Sequence, residues 1–128
     1  MRVLVVEDDD DLREVTARWL RADGHEVLVA SSGRGALAAV DRHGMPQAAV
    51  LDVAMPGMDG VELLRRLRER DPGLPALFLT VLWSGPQVQR MRAAGGVYMA
   101  KPFTAGRLRT AVRGLLPGAG VPDDGGGG

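Results

Sequence analysis

The sequence contains no cysteine, few aromatic residues and no long hydrophobic run. Without cysteine the protein can form neither disulfides nor thiolate metal sites, and it has no cysteine nucleophile. The apolar run at residues 3–6 is much shorter than a signal-peptide core or a membrane span, and acidic residues follow it. These absences are typical of a reducing compartment, and we expect a cytoplasmic protein.

The chain also has no net charge, because its sixteen basic and sixteen acidic residues cancel. A neutral chain has no overall field to attract nucleic acid or an anionic membrane, so we expect neither as a direct partner. Lysine is scarce as well, since every basic residue except Lys101 is arginine. A lone ammonium among guanidinium groups indicates a position that needs a compact point charge.

The length of 128 residues and the 45% content of hydrophobic residues fit one domain with a core. Periodicity and turn residues predict five strands that alternate with five helices, an order typical of a parallel sheet covered on both faces. We place the strands at residues 2–6, 25–30, 47–52, 75–80 and 96–100. The domain is expected to span residues 1–116. Residues 117–128 have too little to bury, so we expect a disordered tail or linker.

Cap residues predict where the helices begin. Asp9–Asp11 are expected to supply the N-cap and first-turn acids of the first helix. The second helix starts at Ser31 or Ser32, the fourth at Ser84 and the fifth at Thr104.

Polar side chains follow four of the predicted strands: Glu7, Asp8, Asp52, Thr80 and Lys101. The carboxyl ends of parallel strands lie at one edge of a sheet, where α/β proteins bind ligands. Three carboxylates gathered there repel one another and one lysine cannot balance them, so the cluster implies a bound cation. Oxygen ligands favour Mg2+, with Mn2+ or Ca2+ next, and the hydroxyl and the ammonium complete a phosphoryl-binding site.

Four segments also carry a family resemblance: residues 3–9 (VLVVEDD), 51–60 (LDVAMPGMDG), 79–80 (LT) and 101–103 (KPF). In this order and spacing they resemble the receiver domain of two-component response regulators, and AKPFT at residues 100–104 is similar to receivers attached to hybrid kinases. The resemblance covers about residues 2–116. The four segments are specific together, although each alone is a weak signal.

The resemblance implies a flavodoxin-like α/β fold with strand order 2-1-3-4-5. It also implies that Asp52 accepts a phosphoryl group from a phosphohistidine on a sensor histidine kinase or a phosphotransfer protein. The chain would be a signalling domain with self-catalysed phosphoryl uptake and hydrolysis, and not an enzyme with a separate substrate. A downstream effector and a homodimer through helix 4, strand 5 and helix 5 are the other expected partners.

For the metal, the resemblance implies that Asp8, Asp52 and the backbone carbonyl of Ala54 bind Mg2+ directly, and that Glu7 binds it through water. Thr80 and Lys101 would hold the phosphoryl oxygens.

Tyr98, three residues before the lysine, matches the switch aromatic of the family. A cis peptide bond before Pro102 is also implied.

The sequence differs from the family pattern at two places. Val81 stands where a small residue is usual, which would narrow the approach to Asp52. The segment between Gly95 and Tyr98 is one residue short, which would alter the face formed by helix 4, strand 5 and helix 5. Trp83 is expected to be an exposed contact for a partner.

Two other functions fit parts of the pattern. One is a phosphorylation-independent interaction module on the same fold, although the complete set of acids, threonine and lysine argues against it. The other is a small phosphohydrolase in which residues 8–10 supply an Asp-x-Asp nucleophile pair, but this reading leaves Asp52 and its loop unexplained. Because no output domain follows Leu116, we expect either a stand-alone regulator or a receiver cut from a longer protein.

Overall fold

The elements alternate as predicted in the computed structural model, which describes residues 1–81 and 84–116. Within these ranges the strands are β1 (Arg2–Val6), β2 (Glu26–Ala30), β3 (Ala48–Asp52), β4 (Ala76–Thr80) and β5 (Val97–Ala100). The helices are α1 (Asp10–Ala22), α2 (Gly33–His43), α3 (Gly60–Arg68), α4 (Gly85–Ala93) and α5 (Ala105–Leu115). The predictions for Trp83 and for the tail at 117–128 fall outside the described residues.

The strands form one parallel sheet in the order β2-β1-β3-β4-β5, which confirms the expected topology. Asp52 is opposite Leu79 in the β3–β4 pairing, and Thr80 is opposite Ala100 in the β4–β5 pairing. The polar residues that end the strands therefore lie along the same edge.

Successive strand residues point to opposite faces, and each face is covered by its own helices. On one face Val3, Val5, Val50, Leu77 and Leu79 pack with residues of α1 and α5. On the other face the buried cluster joins the sheet to α2, α3 and α4; its strand members include Leu4, Val6, Leu51 and Phe78. Burial on both faces explains why the central strands are almost entirely apolar.

Side-chain caps start all five helices of the described residues, and each cap accepts a hydrogen bond from a backbone N–H three residues further on. The caps are Asp9, Ser32, Asp59, Ser84 and Thr104. The predicted caps Ser84 and Thr104 are confirmed, and the cap of α2 is Ser32 rather than Ser31.

Gly60 fixes the start of α3 against the functional edge of the sheet. A Cβ atom at this position would lie 2.3 Å from the carbonyl oxygen of Asp52, closer than packing allows. A glycine is therefore required for α3 to begin directly beside the end of β3.

Two surface features depend on tertiary packing. His25 follows a turn, but its side chain is only 8% exposed and its ring nitrogens have no hydrogen-bond partner among the described residues. The arginines of α3 and α5 lie mostly at the surface, but Arg68 is half-buried and donates to the carbonyls of Leu74 and Ala94, and the exposed Arg113 pairs with Asp23. These contacts join segments distant in sequence, so helical periodicity does not reveal them.

Thr16 offers a test of core energetics, because its hydroxyl in α1 is buried and has no hydrogen-bond partner among the described residues. Replacing a buried unpaired hydroxyl by a methyl group of similar shape removes a desolvation cost of about 1 kcal/mol or more. We expect Thr16→Val to raise the free energy of unfolding by about 1 kcal/mol, measured by urea denaturation with an unchanged m value. The exposed Thr110→Val is the control; a loss of stability in Thr16→Val alone would show that the hydroxyl is paired.

Candidate functional site

Three carboxylates meet where β1 and β3 end. Glu7 is 1% exposed and Asp52 is 4% exposed, whereas Asp8 lies at the surface. One oxygen from each of the three groups can be chosen so that all lie within 4.8 Å of one another. The expectation that these strand ends bring the acids together is thus borne out by the geometry.

The ammonium of Lys101 lies between the two buried acids. Its Nζ is 2.8 Å from Glu7 Oε1 and 3.2 Å from Asp52 Oδ1. Burial alone would lower the pKa of Lys101, but the nearby Glu7 carboxylate and the charge of Asp52 raise the pKa above its ordinary value. Lys101 is therefore a fixed cation in this site.

One ammonium does not balance the negative charge around it. Burial, followed by the hydrogen bonding and charge of Glu7, raises the pKa of Asp52 to about 7, although Lys101 opposes this shift. For Asp8, desolvation also acts to raise the pKa, but hydrogen bonding with Glu7 and Asp52 outweighs it and the pKa is lowered. The carboxylates of the site therefore repel one another, and a further bound cation would reduce this repulsion.

Arg13 holds the loop that carries Glu7 and Asp8. Its Nη1 donates to the backbone carbonyl of Glu7 at 3.0 Å, and its Nη2 donates to Asp10 Oδ1 at 2.6 Å. The backbone N–H of Asp9 also donates to Glu7 Oε2 at 3.2 Å. Arg13 is not among the residues predicted for the site; its three-residue spacing from Asp10 was the available signal.

The other predicted residues lie at the same edge. Thr80 is buried at the end of β4, and its carbonyl accepts a hydrogen bond from the backbone N–H of Lys101 at 2.9 Å. Ala54 lies in the loop after β3 and is exposed. The peptide bond between Lys101 and Pro102 is cis, as expected.

Tyr98 lies on β5, one strand further from Asp52 than Thr80 on β4. It is a half-buried residue of β5 that packs on the α2–α3–α4 side of the core. Its hydroxyl accepts a hydrogen bond from Arg92 Nη2 of α4 at 3.4 Å. The Tyr98 hydroxyl thus links β5 to α4.

The loop that follows Asp52 is tied to its neighbours at both ends. Val53 donates its N–H to the carbonyl of Leu79 at 3.1 Å and accepts from the N–H of Gly60 at 3.0 Å. Asp59 caps α3 through Oδ1 and pairs through Oδ2 with Arg90 of α4 at 2.9 Å. Asp59 thus links the start of α3 to α4.

The donor set fits a hard divalent cation. Mg2+ prefers carboxylate, carbonyl and water oxygens, and this edge presents three carboxylates. Glu7 Oε1 is buried against the Lys101 ammonium at 2.8 Å, and the exposed carboxylate of Asp8 lies beside it. The residues present can therefore hold such an ion.

A family model described as the response regulator receiver domain matches residues 3–113. The chain belongs to the receiver domain family of response regulators. This membership confirms the resemblance carried by the four sequence segments, and it makes the chain a receiver domain of two-component signal transduction.

Relatives and solved structures agree with the family. The receiver is 40% identical to the transcriptional regulatory protein TrcR of Mycobacterium tuberculosis over 117 residues, covering 91% of this chain and 45% of TrcR. It is 42% identical to the response regulator MprA of Mycolicibacterium vanbaalenii over 130 residues, covering 99% of this chain and 54% of MprA. The structure of the chemotaxis protein CheY4 of Vibrio cholerae superposes with a TM-score of 0.83 at 30% identity, covering 90% of this chain and 98% of CheY4.

The receiver spans about half the length of these curated relatives. Receivers are signalling domains, and proteins of this family work with histidine kinases and downstream effectors. In the ranges that the structure describes, no helix is long and apolar enough to cross a membrane.

Proposed function

We propose that this receiver accepts a phosphoryl group on Asp52 from a phosphohistidine of a sensor histidine kinase or phosphotransfer protein. The observation that carries the proposal is the placement of Asp52. It is 4% exposed at the end of β3, its carboxylate lies 3.2 Å from the Lys101 ammonium, and two further carboxylates adjoin it. A buried carboxylate with a fixed cation beside it suits attack on phosphorus followed by stabilisation of the product.

In this step an Asp52 carboxylate oxygen forms a bond to phosphorus as the bond from phosphorus to the donor imidazole nitrogen breaks. The electron pair of the broken bond stays on that nitrogen, and the product is an acyl phosphate. Lys101, with its Nζ already 3.2 Å from Asp52 Oδ1, is placed to hold a phosphoryl oxygen. Thr80 at the adjacent strand end is the second residue that we assign to the phosphoryl oxygens.

We assign Asp8, Asp52 and the carbonyl of Ala54 as direct metal ligands, with Glu7 acting through water. Mg2+, or Mn2+ in its place, would offset the charge of the transferring phosphoryl group when bound. Arg13 keeps the Glu7–Asp8 segment in place by its hydrogen bond to the Glu7 carbonyl. Water attack on the acyl phosphate would restore the Asp52 carboxylate and release inorganic phosphate.

The direct test is incubation of the protein with Mg2+ and acetyl phosphate, followed by intact-mass analysis. We expect one labile phosphoryl group per chain, lost with hydroxylamine and dependent on Mg2+. A chain that remains unlabelled while it still binds Mg2+ would favour the phosphorylation-independent interaction module.

The phosphohydrolase alternative is less well supported. Asp9 caps α1 through Oδ1, and Asp10 is exposed and ion-paired with Arg13, so residues 8–10 do not converge as a nucleophile pair. Sustained release of phosphate from p-nitrophenyl phosphate would nevertheless favour that enzyme over the receiver.

We further propose that Tyr98 reports the phosphorylated state. Movement of Thr80 toward a phosphoryl group would open space beside β5, and the ring could turn into that space from its position against Arg92. With beryllofluoride as the phosphoryl analogue, we expect a changed NMR environment for the Tyr98 ring. An identical ring environment with and without the analogue would exclude this switch; the homodimer through α4, β5 and α5 stays a separate prediction.

Val81 gives a test of access to the site. It directly follows Thr80 and is 62% exposed, and a β-branched side chain at the edge of the site cannot easily swing aside. We expect Val81→Ala to speed both phosphorylation by acetyl phosphate and dephosphorylation, with Mg2+ affinity nearly unchanged and little cost in stability. Val97→Ala, which trims another exposed valine, is the control; rates for Val81→Ala equal to the parent's in both directions would show that Val81 does not restrict access.

A further inference from the structure

A groove of about 540 Å³ runs between α3 and α4. Its floor is apolar: α3 contributes Val61 and the buried Leu64, and the end of α4 and its C-cap contribute the small side chains of Ala93 and Ala94. Within α4 only Met91 is fully buried, so the helix leaves space against α3 that larger side chains would fill. The volume is in the range of sites that bind ligands or segments of partners.

The groove contains a guanidinium without a carboxylate partner. Arg68 is half-buried, and it donates through Nε to the carbonyl of Leu74 at 3.0 Å and through Nη1 to the carbonyl of Ala94. Among the described residues it forms no ion pair, and its Nη2 is neither hydrogen-bonded nor buried. A partly desolvated cation next to an apolar floor is a binding feature for a carboxylate.

The other two arginines of the groove differ from Arg68 in having acidic partners. Arg65 pairs with Glu62 at 2.6 Å and with Glu69 at 3.4 Å, and Arg90 pairs with Asp59 at 2.9 Å. The rim is therefore mostly neutralised, and the net positive charge of the groove is concentrated at Arg68. An incoming anionic group would be complementary to this one position.

We propose that the α3–α4 groove binds an acidic amphipathic helix of a partner protein, with one carboxylate of that helix on Arg68. An amphipathic helix places apolar side chains at three- and four-residue spacing, which suits the strip formed by Val61, Ala93 and Ala94. A carboxylate on the flanking turn would reach the free Nη2 of Arg68. The surface opens between α3 and α4, whereas the face expected for a homodimer lies on α4, β5 and α5.

The test uses a fluorescein-labelled synthetic helix of leucine, alanine and glutamate, with leucine at positions i, i+3, i+4 and i+7. We expect saturable binding by fluorescence anisotropy that weakens as salt is raised, with NMR shift changes confined to α3 and α4. A matched peptide with lysine in place of glutamate should bind at least about tenfold more weakly. Equal binding of the two peptides, no saturable binding, or shift changes outside α3 and α4 would overturn the proposal.

Substitutions in the groove can show whether a loss of peptide binding comes from the groove itself or from a disturbed fold. Arg68→Met should remove the preference for the acidic peptide, but it also removes the hydrogen bonds to the carbonyl of Leu74 and to that of Ala94 at the end of α4. Ala93→Glu leaves those bonds in place and puts a carboxylate into the groove, so we expect affinity for the acidic peptide to fall at least about tenfold. Ala38→Glu, at an exposed position of α2 outside the groove, should bind as the parent does; unchanged binding by Ala93→Glu would also overturn the proposal.

Discussion

Replacement of Asp52 by asparagine is expected to abolish the labile phosphoprotein that acetyl phosphate and Mg2+ form with the parent chain. The amide has nearly the shape of the carboxylate but lacks the anionic oxygen that attacks phosphorus. The fold should persist, because the change removes one of three crowded carboxylates at a position only 4% exposed. Intact-mass analysis before and after hydroxylamine measures the label, and thermal unfolding measures the fold.

The matched control for this change is Asp59→Asn, which alters another carboxylate of the same loop region. Asparagine can still cap α3, so Asp59→Asn should fold and accept label, although it removes the ion pair with Arg90. Stoichiometric labile label on Asp52→Asn would place the acceptor elsewhere, with Asp8 as the next carboxylate to examine.

Local sequence signals were enough to predict most of the fold. Each strand is a short apolar run ended by a polar residue, and each helix begins at a cap whose side chain bonds a backbone N–H three residues on. These interactions lie within a few residues of one another, so spacing alone reveals them. The predicted strand bounds differ from the observed ones by one residue at most.

Contacts between distant segments could not be read in the same way. The partners of Arg68 lie six and 26 residues away, and the partner of Arg90 lies 31 residues away, so the charges alone indicated only solvated helix faces. The burial of His25 likewise depends on how the end of α1 packs at the start of β2. Such features depend on tertiary packing, which hydrophobic periodicity does not encode.

For the candidate site, sequence reasoning placed the three acidic residues at one edge, as the structure does, but it did not separate their environments. Glu7 and Asp8 are adjacent in sequence, yet Glu7 is 1% exposed and pairs with Lys101, whereas Asp8 faces solvent. The strand alternation places neighbouring side chains on different sides, and the end of a strand leaves the assignment open. The distinction matters, because the buried acid meets the ammonium directly and the exposed acid is the more accessible ligand for an ion.

Lys101→Met is expected to separate metal binding from phosphoryl transfer. The ammonium lies 3.2 Å from Asp52 Oδ1, so its loss removes a charge placed for the phosphoryl oxygens, and phosphorylation should slow by about a hundredfold to a thousandfold. Mg2+ affinity measured by calorimetry should be retained or increased, because a competing cation is gone while the three carboxylates remain. Asp8→Asn should instead weaken Mg2+ binding at least about tenfold, since it removes a carboxylate that we propose as a ligand.

Lys101→Met should also make the stability of the fold depend on Mg2+. Glu7 and Asp52 are both buried, and removal of the cation between them leaves uncompensated charge, at a cost of about 3 kcal/mol. Added Mg2+ should therefore raise the unfolding temperature of Lys101→Met by more than it raises that of the parent. Lys101→Arg keeps the charge but replaces a compact ammonium with a planar fork, so it should recover the metal-free stability more fully than the phosphorylation rate. Parent-like phosphorylation by Lys101→Met would show that this ammonium serves only to hold the two buried carboxylates, and would remove it from the phosphoryl-transfer step.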